Sequence, residues 1–178
     1  MMSYRKLLAA LALFAGQVSA EAPPLPTVAA LDVPRYMGIW YEIARAPNRF
    51  QKKCVGQSHA DYQLQTDGTI RVVNRCPLAN GETDEAVGAA RQLGGPTSPK
   101  LEVRFAPAWL SFIPAVWGDY WVVDIDDAYQ WVIVSEPRRE FLWILARQPR
   151  LSDQRLQSLL LRLEELGFTT TGLQIAGR

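Results

Sequence analysis

The sequence predicts an all-β protein: an eight-stranded antiparallel up-and-down barrel, with one α-helix packed outside it near the C-terminus and a short final strand. Three observations predict it. Eight short runs of β-like composition follow one another, each bounded by turn residues. The connections between them are short turns or modest loops, so neighbouring strands pair antiparallel and closure removes the exposed edges. Only near the end does the apolar period change to that of a helix.

The elements follow in chain order. Residues 1–20 hold Arg5 and Lys6, no acid, an apolar run over 7–15 and the small-x-small ending Val18-Ser19-Ala20. This is the pattern of a secretory signal peptide, with an apolar core too short to span a bilayer. No cysteine lies near the cleavage site, so a lipid anchor on the new N-terminus is not expected. Residues 21–30, with three prolines, read as a flexible leader, and residues 31–178 as the barrel domain. The first strand is 38–45, stopped by Pro47-Asn48. Strands 57–65 and 69–75 flank Asp67-Gly68, a tight hairpin signal. Strands 83–93 and 101–106 flank Gly94-Gly95-Pro96; strands 117–125 and 129–135 flank Asp126-Asp127; strand 141–147 follows Pro137-Arg138-Arg139. Ser152 is placed to cap a helix whose Leu156, Leu159, Leu160, Leu163 and Leu166 share one face, and Gly167 to end it. A short strand over 169–175 closes the chain.

A meander alternates its connections between the two barrel ends. The tight turns share one end, and the longer loops 46–56, 77–82, 107–116 and 136–140 share the other, which is therefore the mouth. Cys54 ends the first mouth loop, and Cys76 ends a strand beside the one that loop enters. An even cysteine count in an exported chain favours one disulfide. It closes a loop of about 20 residues, for which loop entropy gives about 3 kcal/mol. A metal site would need His59 and a carboxylate beside the two cysteines, so neither a metal nor a cofactor is expected.

The charge balance of 19 Lys and Arg against 18 Asp and Glu excludes a strongly basic nucleic-acid binder. What matters is where these residues fall. The mouth loop 107–116, followed by Trp117, is dominated by large apolar side chains, whereas loops are normally polar. It reads either as a lid folded inward or as a contact for an apolar ligand, a membrane surface or a second subunit. Arg49, Lys52, Lys53, Arg138 and Arg139 ring the same end. They serve as solubilising charge, or they suit an anionic head group beside an apolar cavity.

Three motifs carry a family likeness. Gly38-Ile39-Trp40-Tyr41-Glu42-Ile43-Ala44-Arg45 resembles the opening motif of the lipocalins, in the form of the bacterial Blc and apolipoprotein D-like branch. Gly118-Asp119-Tyr120-Trp121-Val122-Val123-Asp124 resembles the second lipocalin motif, and Phe141-Leu142-Trp143-Ile144-Leu145-Ala146-Arg147 the third. The ordered trio spans about residues 30–175. The resemblance implies a barrel that binds a hydrophobic molecule, with Trp40 and Arg147 stacked as a structural pair across its closed base. It also implies fatty acids or lysophospholipids as ligands and a role in lipid storage or transport at the outer membrane. Lipoproteins of that branch carry a lipid-modified cysteine that this sequence lacks, so a periplasmic protein, or one peripheral at the outer membrane, is expected. The branch includes a protein that dimerises, which makes a homodimer one expectation.

If Arg147 faces the inside of the base, Trp143 shares that face by strand alternation. The expected ligand contacts are therefore Trp143, then Trp131 and Tyr120, with Trp117 and Phe50 nearer the mouth and Arg138 and Arg139 for the head group. Two other functions are weighed against lipid binding. A thiol-dependent isomerase on the same barrel needs a free, activated cysteine. A haem carrier would use His59 as axial ligand.

Overall fold

The computed structural model describes residues 23–177. Its eight barrel strands are β1 (Gly38–Arg45), β2 (His59–Leu64), β3 (Ile70–Pro77), β4 (Thr83–Gln92), β5 (Lys100–Arg104), β6 (Gly118–Ile125), β7 (Trp131–Ser135) and β8 (Leu142–Ala146). Each pairs antiparallel with its neighbours in sequence, and β1 pairs with both β2 and β8, which closes the ring. A ninth strand, β9 (Gln174–Ile175), adds to β1 at Ala44 and Arg45. Among the described residues the α-helices are α1 (Val33–Tyr36) and α2 (Asp153–Glu165), and two 3-10 turns, 108–110 and 114–116, lie in the 105–117 connection.

Alternation along the strands sorts the apolar residues into two clusters. Inside the barrel lie Trp40, Tyr62, Ile70, Val72, Ala90, Leu101, Val122, Val132, Val134 and Leu145. Outside, Ile43, Val123, Ile133, Leu142, Ile144 and Ala146 meet the stripe Leu156, Leu159, Leu163 and Leu166 of the second helix. That helix starts where Ser152 Oγ accepts the Arg155 amide at 3.2 Å, and Gly167, at φ +81°, carries the chain out of it. The stripe covers the wall formed by β6, β7, β8 and β1, which is apolar on both faces.

The closed base is sealed by a segment that composition alone does not reveal. Asp32 Oδ1 accepts the Arg35 amide at 3.1 Å and caps α1, which buries Val33 and Tyr36 against the inner cluster. Leu31 is fully buried there too, and its amide donates to Thr97 O at 2.8 Å. Within the expected leader, two apolar residues nonetheless touch the barrel. Leu25 is buried in the outer cluster, and Val28 N donates to Val122 O at 3.1 Å. Three prolines keep this stretch extended, yet its apolar residues gain more by covering the barrel than by staying in water. The expected signal peptide, residues 1–20, lies outside the described residues.

Most strand boundaries shift by a residue or two from expectation, and three of the differences bear on the architecture. Tyr129 is not in β7: its φ of +58° places it in the turn that follows Asp126, where its hydroxyl accepts the Asp32 amide at 2.9 Å. Residues 169–173 form no strand, because a turn closed by Leu173 N to Thr170 O at 3.3 Å, with Gly172 at φ +84°, precedes the two paired residues. The β5 strand stops at Arg104, short of Phe105 and Ala106.

Candidate functional site

Arg147 Cζ lies 3.9 Å from the Trp40 ring centroid. Its guanidinium donates to Ile39 O at 2.9 Å and Arg35 O at 2.8 Å, tying β1 and α1 to the end of β8. Burial lowers its pKa from the ordinary value. Trp40 Nε1 donates to Tyr36 O at 2.8 Å. Gly38 makes this approach possible: its φ is +93°, and a Cβ there would lie 3.4 Å from Arg147 Nη1. All of these contacts serve the base of the barrel.

Above the floor, three phenols meet. Tyr36 and Tyr120 hydroxyls are 2.6 Å apart, and Tyr62 and Tyr120 hydroxyls 3.0 Å. Burial pushes Tyr62 up to about 12, and pushes Tyr36 and Tyr120 well above the ordinary tyrosine value. Three hydroxyls share two hydrogen bonds, so the cluster retains a proton to donate and lone pairs to accept with. It is a polar spot at the bottom of an apolar cup.

Toward the mouth the inward side chains become small on one wall and aromatic on the others. On β4, Gly88 stands opposite Val72, and a Cβ there would meet the Phe105 ring at 2.7 Å and the Arg104 carbonyl oxygen at 2.5 Å. Phe105 thus lies across Gly88, on the inner side. On the β8 side, Trp143 and Phe141 stack at 6.1 Å, and Phe141 meets Phe50 of the mouth loop at 5.5 Å. These rings form a ladder from the rim into the interior.

A buried polar network stands beside that ladder. Glu42 and Arg45 are three residues apart, so strict alternation would put them on opposite faces. A register shift between Glu42 and Ala44 returns Arg45 to the inner face, where it pairs with Trp143 across the strands. Arg45 Nη1 donates to Glu42 Oε1. Gln51 Nε2 donates to Glu42 Oε2 at 2.6 Å and to Ser58 Oγ at 3.3 Å, while Gln51 Oε1 accepts from Trp143 Nε1 at 3.0 Å and Asn48 Nδ2 at 3.0 Å. The first mouth loop is thereby fastened to the barrel wall. The Cys54–Cys76 disulfide fastens its far end, with the Cα atoms 5.5 Å apart.

The structure places the expected ligand contacts unevenly. Trp143 and Tyr120 face the interior, and Phe50 stands at the rim. Trp131 does not face in: it lies in the outer cluster under α2, because Val132 and Val134 take the inner face of β7. Trp117 is also outside, with Arg91 and Arg104 Cζ atoms 4.2 and 5.2 Å from its ring centroid. Three residues before the inward Tyr120, it falls on the opposite face. Both arginines of the 136–140 hairpin have partners within the protein. Arg138 pairs with Glu140 at 3.3 Å and Glu136 at 3.8 Å. Arg139 points to the helix, donating to Leu166 O at 3.2 Å and Pro23 O at 3.0 Å. Arg45, Glu42, Gln51, Phe105, Tyr36 and Tyr62 were not among the expected site residues.

The competing readings lose their residues. Both cysteines of the chain are in the disulfide, so no free thiol remains for an isomerase. His59 is on the outer face of β2, 5.9 Å from the Tyr41 ring, with burial and the nearby Arg75 charge lowering its pKa. It cannot ligate a haem held inside the barrel. The apolar mouth loop is not a lid: Trp109 is 72% exposed and Phe112 78%.

A model of the lipocalin-like domain matches residues 31–177. The chain is 39% identical over 155 residues to temperature-induced lipocalin-1 of Arabidopsis thaliana, covering 86% of this chain and 82% of that protein. It is 35% identical over 153 residues to the outer membrane lipoprotein Blc of Escherichia coli (strain K12), covering 84% and 82%. It is also 30% identical over 146 residues to apolipoprotein D of Mus musculus, covering 78% and 72%. Among solved structures, the major cockroach allergen Per a 4 shares the fold at a TM-score of 0.63 with 17% identity, covering 84% of this chain and 90% of that one. With its closed barrel, its base pair of Trp40 and Arg147 and these relatives, the chain belongs to the lipocalin family, in the branch that includes the Blc lipoproteins and apolipoprotein D.

Proposed function

We propose that this lipocalin binds a fatty acid or lysophospholipid in its barrel, as a carrier rather than an enzyme, for lipid storage or transport in the bacterial cell envelope. The observation that carries the reading is the aromatic ladder Phe50, Phe141 and Trp143, which leads from the rim to an apolar interior. An acyl chain passing it gains about 0.8 kcal/mol per buried methylene. Tyr120 and its two partners offer the only hydroxyl cluster among the described residues of the inner face. Small inward residues on β4 leave the ligand's width to be set by Phe105 and Trp143. The contacts we assign to the ligand are therefore Trp143, Tyr120, Phe50, Phe105 and Phe141.

The Blc relatives are named as outer membrane lipoproteins, which supports an exported protein acting in the periplasm or at that membrane's face. The exposed Trp109 and Phe112 beside the mouth suit transient contact with a lipid surface, since aromatic side chains settle at membrane interfaces. The same patch would be covered if two copies paired. Native mass spectrometry of the purified protein after exposure to a mixed lipid extract tests the reading. One acyl lipid per barrel is the expected result; a spectrum of ligand-free protein alone would contradict it, and the same spectrum reports whether the species is a monomer or a dimer.

A further inference from the structure

The amphiphile's head group has no obvious seat on the hairpin where Arg138 and Arg139 lie, because both are otherwise engaged. A different place in the molecule has the required chemistry. Beneath the first mouth loop is a cleft of about 390 Å³ lined by Arg45, Asn48, Arg49, Gln51, Lys52 and Gln174, among others. Three of these side chains are cationic. Among the described residues, neither Arg49 nor Lys52 has an ion pair; Arg49 only rests on the Phe50 ring, 4.9 Å from its centroid. Arg45 is more telling. Its side chain is nine-tenths buried, Glu42 occupies Nη1, and Nε is buried without any acceptor. An unpaired guanidinium N–H out of water is costly, so Glu42 alone does not satisfy this group, and Arg45 lines the cleft. Among the described residues, Glu42 is the one carboxylate in contact with this group, so three positive charges face one negative.

We propose, on the reading that the barrel binds an acyl lipid, that this cleft is an anion site that holds the head group, a carboxylate or a phosphate, through Arg45, Arg49 and Lys52. The position suits the task. Gln51 lines the cleft and is hydrogen-bonded to Trp143, so head group and chain would sit on opposite sides of one side chain. Phe50, between Arg49 and Phe141, brings the ladder to the same edge. Glu42 holds Arg45 and Gln51 in place and, by its charge, moderates the anion affinity.

Two lipids with one acyl chain test this: palmitate, with an anionic head, and monopalmitoylglycerol, with a neutral one. The delipidated protein should bind palmitate about tenfold more tightly, the gain of one charge-assisted contact. In the Arg49→Gln/Lys52→Gln double variant, whose sites are exposed enough to spare the fold, that preference should vanish. Arg45→Gln should remove it as well. Glu42→Gln keeps the hydrogen-bonding shape and removes the competing charge, so the preference should widen; a purely structural role for the network would leave it unchanged and overturn the assignment. Inorganic phosphate at constant ionic strength should weaken palmitate and leave monopalmitoylglycerol alone. If the unmodified protein binds both lipids equally well, the head-group site is wrong while lipid binding stands. If phosphate binds but palmitate shows no preference, the cleft takes free anions and the head-group assignment falls. If neither lipid binds, the carrier reading itself fails and the inference with it.

Discussion

Trp143 donates its indole N–H to Gln51 Oε1 at 3.0 Å, joining residues 92 positions apart. Gln51 passes the connection to Glu42 at 2.6 Å, and Glu42 to Arg45. The inward aromatic of β8, the mouth loop and the bulged end of β1 are held as one unit, so the ladder's innermost ring has a fixed orientation.

Replacing Gln51 by Leu removes that link and leaves Glu42 Oε2 short of a donor. Unfolding free energy from urea titration should fall by about 1–3 kcal/mol, the cost of an unsatisfied buried polar group. Gln51→Glu should be worse, since it sets a second carboxylate beside Glu42.

At the opposite end, Arg147→Met should cost about 2 kcal/mol or more, because it removes the stacking on Trp40 and charge-assisted bonds to three carbonyls. Lipid affinity, measured on folded protein, should change little, since this pair seals the floor. Urea midpoints and a binding titration on the same sample separate the two effects.

Much of this architecture was legible in the sequence, for reasons that differ by element. Strand number, order and closure follow from spacing and turn residues, and the Leu156–Leu159–Leu163 stripe declares the helix and its face. Facing was harder. Trp131 and Val132 are both suitable for an interior, and only the pairing of Val134 with Trp143 decides which of them enters it. The Glu42–Arg45 pair was hidden by a bulge, which adds a residue to one strand and leaves no mark in the composition. Arg139 sits beside a mouth connection in sequence, but its length and its φ of +59° turn it back to the helix C-terminus. Four residues of α1 are too few to show a helical period, so the floor contributed by Tyr36 stayed unseen.

Removing the disulfide tests the far end of the mouth loop. Cys54→Ser/Cys76→Ser should lower stability by about 3 kcal/mol for the 22-residue separation, mainly by loosening the unfolded chain's constraint. Because Gln51 still anchors the loop, lipid should bind the variant below its unfolding temperature. Calorimetry with and without ligand reads both.

Tyrosine ionisation carries a distinct signature. Of six tyrosines, Tyr36, Tyr62 and Tyr120 should remain protonated past the ordinary value of 10, Tyr62 to about 12. The unfolded chain loses these protons first, so their contribution to stability is complete below pH 10 and is lost as pH rises toward the native values. Ultraviolet titration of the phenolate band should show three tyrosines resisting until the barrel opens, and Tyr120→Phe should reduce that number.

A bound acyl chain should lie against the inner face, beside Trp143 and away from Trp131. Titrating delipidated protein with a series of fatty acids while following tryptophan emission tests it most directly, using the unmodified chain, Trp143→Phe and Trp131→Phe. A saturable, one-to-one change is expected in the unmodified protein and in Trp131→Phe, with affinity rising about fourfold per methylene until the barrel is full. In Trp143→Phe most of that emission change should disappear. No saturable change, or a change that survives Trp143→Phe and disappears with Trp131→Phe, would contradict it.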